Sequence, residues 1–271
     1  MGKCVHSLSS PGKPARLLGC GVLAASLLCG GQAAAQNDER AAPAGTSQSV
    51  HVSSIRNPEL RSYRVMAAGL DAFDDHHALA PRAREVRFRL IPGPGIAADA
   101  LRDATLRIVG NETAISVPLS ADGSFVLPRS AQADSDDADL VTNQKKDRFR
   151  WQASVRSDDV PPGMRRLGDL RLQCQVSSAI ARKEMPFWLR TLVAAKLRGT
   201  DWCAADKLKM GTYSDPAIAS ATLLDGVRRI ALPVNDTGTS FQAPLGDSRY
   251  ADDTLIELVY LDAAGAPPAS L

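Results

Sequence analysis

Ala104-Thr105-Leu106, then Ile115-Ser116-Val117-Pro118-Leu119, then Asp122-Gly123-Ser124-Phe125 and Pro128: this stretch decides how the chain is read, because its pattern returns. The second occurrence is Ala221-Thr222-Leu223, then Ile230-Ala231-Leu232-Pro233-Val234, then Gly238, Phe241 and Pro244. The shared skeleton is Ala-Thr-Leu, a turn, Ile-x-aliphatic-Pro-aliphatic, a second turn with Gly, then Phe and Pro. Each copy predicts three short strands in a meander. Gly110-Asn111 and Asp225-Gly226 stand at the first turn, Asp122-Gly123 and 235–238 at the second, where residues tolerant of positive φ belong. The Pro lies out of phase with the apolar residues, which suits an edge or outward position because it cannot donate to a ladder. The copies share only core and turn residue types, with Thr105 and Thr222 the one polar match, so any function is expected on what differs between them.

Outward from the first copy, period-two alternation predicts strands at 86–91 (Val86, Phe88 and Leu90 against Arg87 and Arg89) and 149–155 (Phe149, Trp151, Ala153 and Val155 against Arg150, Gln152 and Ser154). Around the second, the same rule predicts strands at 170–176 (Leu170, Leu172, Cys174 and Val176 against Arg171, Gln173 and Gln175) and 254–260. Leu60, Tyr63, Met66, Leu70 and Phe73 recur at helical spacing after Pro58, predicting a helix near 58–78. A second helix is expected over 186–199, from Pro186 to a Gly199 C-cap, with Trp188 and Trp202 read as helix core. Val160-Pro161-Pro162-Gly163 is the best internal break. The expected fold is therefore mainly β: two β-sandwich-like (immunoglobulin/transthyretin-like) units with an N-terminal helix and a helical insertion in the second. The divisions are 51–160 for the helix and first unit, 166–262 for the second, and 263–271 for a loose tail.

Asp122-Gly123-Ser124-Phe125-Val126-Leu127-Pro128 after an alternating strand resembles the carboxypeptidase regulatory-like (transthyretin-like) sandwiches of exported bacterial proteins. About ten residues carry the likeness, and 238–241 departs from it by lacking the Asp-Gly pair. The resemblance implies a non-catalytic accessory or binding module.

Residues 1–35 predict a secretory signal. Lys3, Lys13 and Arg16 form a positive start, 17–28 an apolar core too short for a span, and Ala33-Ala34-Ala35 a small-residue cleavage site. A flexible lead-in follows at 36–50. The signal accounts for the chain's basicity: of 32 basic and 30 acidic residues it holds three basic and no acidic ones, leaving 29 against 30 and no case for nucleic acid. It also holds three of the five cysteines. Cys174 and Cys203 remain, and an even pair in an exported domain predicts a disulfide. The expected location is periplasmic or secreted, with no transmembrane span in the mature chain.

Catalytic and cofactor signatures are missing from the sequence. Gly246-Asp247-Ser248 has no His after it, and His51, His76 and His77 are the only ones beyond the signal. There is no G-x-S-x-G, P-loop or G-x-G-x-x-G, so no cofactor is nominated. Asp71, Asp74, Asp75, His76 and His77 end the first helix, and Asp134, Asp136, Asp137 and Asp139 form an acidic loop. Neither has metal-site spacing, and no metal is nominated. One feature stands out. Arg87, Arg89, Arg107, Arg148, Arg150 and Arg171 all lie on the polar phase of predicted strands. If the strands are neighbours, the six guanidinium groups share a face suited to an anionic envelope component or another exported protein. The expectation is a non-catalytic binding or structural module. The alternative is a carbohydrate-active hydrolase using two carboxylates, whose spacing is spatial rather than sequential.

Overall fold

The computed structural model describes residues 56–197, 201–204 and 211–262. The expected signal at 1–35, the lead-in, the Gly199 cap and the tail at 263–271 lie outside these residues. The described chain is mainly β, in antiparallel sheets with four α-helices.

In the first half, β1 (Pro58–Ser62) runs directly into α1 (Tyr63–Asp75). The predicted helix thus starts five residues late. Leu60, assigned to its apolar stripe, is 48% exposed and pairs with Val141 across a sheet, whereas Tyr63, Met66, Leu70 and Phe73 are all buried. β2 (Val86–Pro92), β3 (Leu106–Val109), β4 (Ala114–Val117) and β5 (Ser124–Phe125) follow. The acidic stretch is not a loop. It holds α2 (Ala131–Ser135), where the Ser130 hydroxyl accepts from Ala133 N at 3.1 Å, and opens β6 (Asp139–Lys145). β7 (Phe149–Val155) closes this half where alternation places it. One sheet runs β1-β6-β3-β4 and a second β5-β2-β7.

The second half begins with β8 (Met164–Arg166), which leads straight into α3 (Leu167–Glu184). Then come α4 (Phe187–Leu197), β9 (Thr212–Tyr213), β10 (Ile218–Asp225), β11 (Arg228–Leu232), β12 (Ser240–Phe241) and β13 (Leu255–Tyr260). One sheet runs β8-β13-β10-β11, and β9 pairs with β12. In each half, then, a strand leading into a helix pairs antiparallel with a late strand, which pairs with the first arm of a hairpin. The second meander turns also match: Gly123 and Gly238 both have positive φ (78° and 68°). A Cβ on either would lie 2.5 Å from a carbonyl oxygen, of Leu90 and Ile218 respectively, so no side chain fits.

The strand expected at 170–176 is helix, and the reason lies in its two neighbours. Leu167 and Leu170 pack with Ile218, Leu223, Phe241 and Ile256 in the second core. Leu172 and Val176 pack with the first, which joins the inward faces of both first-half sheets to α1. A helix wedged between two cores is apolar on two faces. Residues 170 and 174 on one, with 172 and 176 on the other, imitate strand alternation although each face keeps the helical i,i+4 spacing. Cys174 and Cys203 are bonded, with sulfurs 2.09 Å apart, so the disulfide ties α3, rather than a strand, to the turn beyond α4. Trp188, read as core, is 66% exposed on α4, as Phe187 is at 74%. Among the described residues, no helix is long and apolar enough to cross a membrane.

Candidate functional site: a basic groove between β7 and helix α3

The six arginines do not form one face. Arg171 is on α3, where it donates to Asp252 and to the carbonyls of Leu245 and Asp247; it fastens the helix to the 245–252 loop. Arg107 belongs to β3, in the other sheet of that half. Arg148 precedes β7 in the turn. Arg87, Arg89 and Arg150 do share a face. In the β2–β7 register Ile91 opposes Arg150, Arg89 opposes Gln152 and Arg87 opposes Ser154, and directly opposed residues project to the same side. Arg87 is turned to Glu85 at 3.0 Å at the outer end of that face.

The rest of the face is covered by the second half, and the cover leaves a groove. Its floor is the polar row of β7: Arg150, Gln152 and Ser154, continued past the strand end by Arg156. Alternate strand residues stand about 7 Å apart, so the row has the length of a small ligand. One wall is α3, which presents Leu170, Gln173, Cys174 and Ser177, an i, i+3, i+4, i+7 set. The roof comes from 211–215 around β9, with Leu245 beside it. Two recesses occupy the groove, and Gln152, Gln173 and Tyr213 line both. The open one, of about 260 Å³, has Ile91, Leu170 and Leu245 in its lining. The more enclosed one, of about 160 Å³, is lined by Arg89, Arg156 and Arg165 with Ser154, Ser214 and Asp215.

Charge in the enclosed recess is unbalanced. Asp215 is the only acid among the described residues of its lining, and it is taken by Arg89 at 3.1 Å. Arg156 donates to Pro161 O at 3.2 Å. Arg165 Nη2 donates to Val155 O and to Gln173 Oε1, each at 3.1 Å, and its Nε is closed to solvent without a partner. Among the described residues, neither Arg156 nor Arg165 has a carboxylate within ion-pair distance. Burial, reinforced by the like charge of Arg156 and only partly offset by Asp169, pushes the Arg165 guanidinium down to about 10, so it is charged at neutral pH but incompletely compensated. Gln173 Oε1 also accepts from Val155 N at 3.3 Å, which commits its oxygen and leaves the amide nitrogen as a further donor. At the open end Arg150 lies over the Tyr213 ring, 4.4 Å from its centroid, and donates to the Tyr213 hydroxyl at 2.6 Å.

Arg156, Arg165 and Tyr213 were not legible as site residues. The first two flank the Val160–Gly163 break, and only the continuing phase of Arg150, Gln152 and Ser154 points towards Arg156. The other candidates are committed elsewhere. Asp71 and Asp74 hold Arg129 at 2.7 and 2.5 Å. Asp134 and Asp137 hold Arg64, and Asp136 accepts from Glu112 N and Thr113 N. His77 Nε2 is 2.8 Å from Ala83 O. Ser248 lies beside Asp201 and Asp252 in a recess of about 400 Å³, where Asp201 accepts from Gln175 and Cys203 N and Asp252 from Arg171. No protein-family model, curated protein or solved structure matches this chain.

Proposed function

We propose that this chain is an exported, non-catalytic module that binds an anionic ligand in the groove between β7 and α3. One observation carries the reading: Arg156 and Arg165 face an enclosed recess whose single acid among the described residues, Asp215, already belongs to Arg89. Guanidinium groups held without an ion-paired carboxylate in a semi-enclosed space favour an oxyanion that accepts from several donors at once. The export half of the proposal draws on the 1–35 signal pattern and on the bonded Cys174–Cys203 pair, a linkage suited to an oxidising compartment. The same proposal takes the chain as a tandem pair of one unit, strand–helix–strand–meander–strand, each sandwich-like in the manner of the carboxypeptidase regulatory-like domains. The corresponding strand orders of two antiparallel sheets, β1-β6-β3-β4 and β8-β13-β10-β11, support it.

The hydrolase alternative has no such support in the groove, where Asp215 is the only carboxylate among the described residues of the enclosed recess. Titration calorimetry of the disulfide-bonded protein with acetate and inorganic phosphate at low ionic strength tests the main reading. Binding should weaken with added salt and fall at least tenfold in Arg156→Gln. If neither anion binds, or Arg156→Gln binds as the parent does, the groove is not an anion site.

A further inference from the structure

The two recesses differ in kind, and their order along β7 matters. Arg150, Gln152, Ser154 and Arg156 follow one another down the floor, so the lining passes from the open recess to the enclosed one without leaving the strand's polar side. At the enclosed end guanidinium, amide and hydroxyl groups, with the Asp215 carboxylate held by Arg89, make up the lining alongside the buried Phe241 and Leu258. At the open end, Ile91, Leu170 and Leu245 bring apolar carbon into the wall beside Arg150, whose guanidinium lies over Tyr213 and donates to its hydroxyl. A site for a bare inorganic anion has no use for the second chamber. A site for a neutral apolar molecule has none for the first.

We infer that the groove takes an amphiphilic acid, with a compact oxyanion head in the recess of Arg156 and Arg165 and an apolar chain lying past Gln152 and Tyr213 against Ile91, Leu170 and Leu245. The inference rests on the anion-binding reading above and adds the tail. A carboxylate and a phosphate monoester share this chemistry, since both heads accept paired N–H donors from guanidinium. Sequence again is consistent with the division. β7 supplies Arg150, Gln152 and Ser154 to the floor, while the apolar side of the open recess comes from Trp151 of β7, β2, α3 and the 245–252 loop, which Arg171 holds in place.

A chain-length series on the unmodified protein tests this directly. The probes are acetate, butanoate, hexanoate and octanoate, with phosphate and hexyl phosphate as the second head group and octan-1-ol as the uncharged control. Each methylene that leaves water should tighten binding up to about fourfold, so octanoate should bind at least tenfold better than acetate. Hexyl phosphate should likewise exceed phosphate if that head is accepted; a chain effect in only one series assigns the head group. Ser177→Phe, which would fill the open recess from the α3 wall, should erase the chain effect, so that octanoate binds no better than acetate. Equal binding of acetate and octanoate would overturn the tail while leaving the anion site standing. Octan-1-ol binding as tightly as octanoate would overturn the amphiphile. Absence of any binding would remove both readings together. The series needs no variant, so a misfolded Ser177→Phe protein would not rescue the inference.

Discussion

Replacing Arg165 by Met should make the empty protein slightly more stable and leave it unable to hold an anion. The folded environment lowers the guanidinium from 12.5 to about 10, and a displacement of that size is worth about 3 kcal/mol against the charged form. Against this, the substitution loses the hydrogen bonds to Val155 O and Gln173 Oε1, at about 1 kcal/mol each. The balance is about 1 kcal/mol in favour of Met, or roughly 2–4 °C in Tm for a chain of this size. The sign follows from linkage. A base whose folded value is depressed is penalised at every pH below that value, so the gain is full at pH 7 and fades only as pH rises from about 10 towards 12.5. Thermal melts at pH 7 in low salt, with and without phosphate, measure it. The parent should be stabilised by phosphate as binding to the native state requires; Arg165→Met should not. Destabilisation of the variant by about 2 kcal/mol or more, with a parent indifferent to phosphate, would show that Arg165 is a structural link between β8 and β7 and refute the argument.

Four other outcomes are expected. Gly168→Ala should unfold the protein or destabilise it by about 3 kcal/mol or more, since the new Cβ would stand 2.1 Å from Leu79 O and 2.9 Å from Asp252 O, both unyielding backbone atoms; chemical denaturation measures this. Removing the disulfide by the double substitution Cys174→Ser, Cys203→Ser opens a loop closed over 29 positions and should cost about 3.5 kcal/mol, seen as a lower urea midpoint. Asp159 is held well below the usual carboxylate range by hydrogen bonds from Arg166 and then Arg82. Its contribution is present above about pH 4 and lost as pH falls further, so Asp159→Asn should lower Tm at pH 7 and flatten the acid limb of its pH profile. Trp188→Ser, on the exposed side of α4, should leave Tm within about 2 °C, because half a kcal/mol is the usual range for surface positions.

Local alternation was enough where an element meets one core. β2 and β7 each have one buried and one polar face, so period two located both within a residue, and with them the groove floor of Arg150, Gln152 and Ser154. β1 escaped because Pro58 and the spacing of Leu60 to Tyr63 suit a helix start, while the pairing with β6 that makes it a strand is long-range. Of the six arginines expected on one face, the register places Arg87, Arg89 and Arg150 together on β2 and β7. The expectation failed for Arg107 and Arg148 because phase within a strand says nothing about which sheet the strand joins, or whether the residue is in the strand at all. Arg171 failed with the element beneath it.

That element, α3, shows why the groove as a whole was hidden. Its residues serve three surfaces: Leu172 and Val176 the first core, Leu167 and Leu170 the second, and Gln173 and Ser177 the groove. No single period describes a helix with three neighbours, so the apolar positions read as a strand and the groove residues as its solvent side. The site depends on that arrangement. α3 must lie between the cores for its remaining face to lean over β7, and β8, directly before it, must pair with β13 for Arg165 to sit beneath Gln173. A chain-local reading sees Arg156, Arg165 and Gln173 on both sides of a Pro-Pro-Gly break and assigns them to different domains. The fold turns that break into the corner that brings β7 and β8 back together, with Arg165 Nη2 on Val155 O at 3.1 Å across it. The excess of guanidinium over carboxylate among the described residues of the groove is therefore a property of the join between the two halves. Either half expressed alone would lose part of the lining, and neither should bind an anion as the intact chain does.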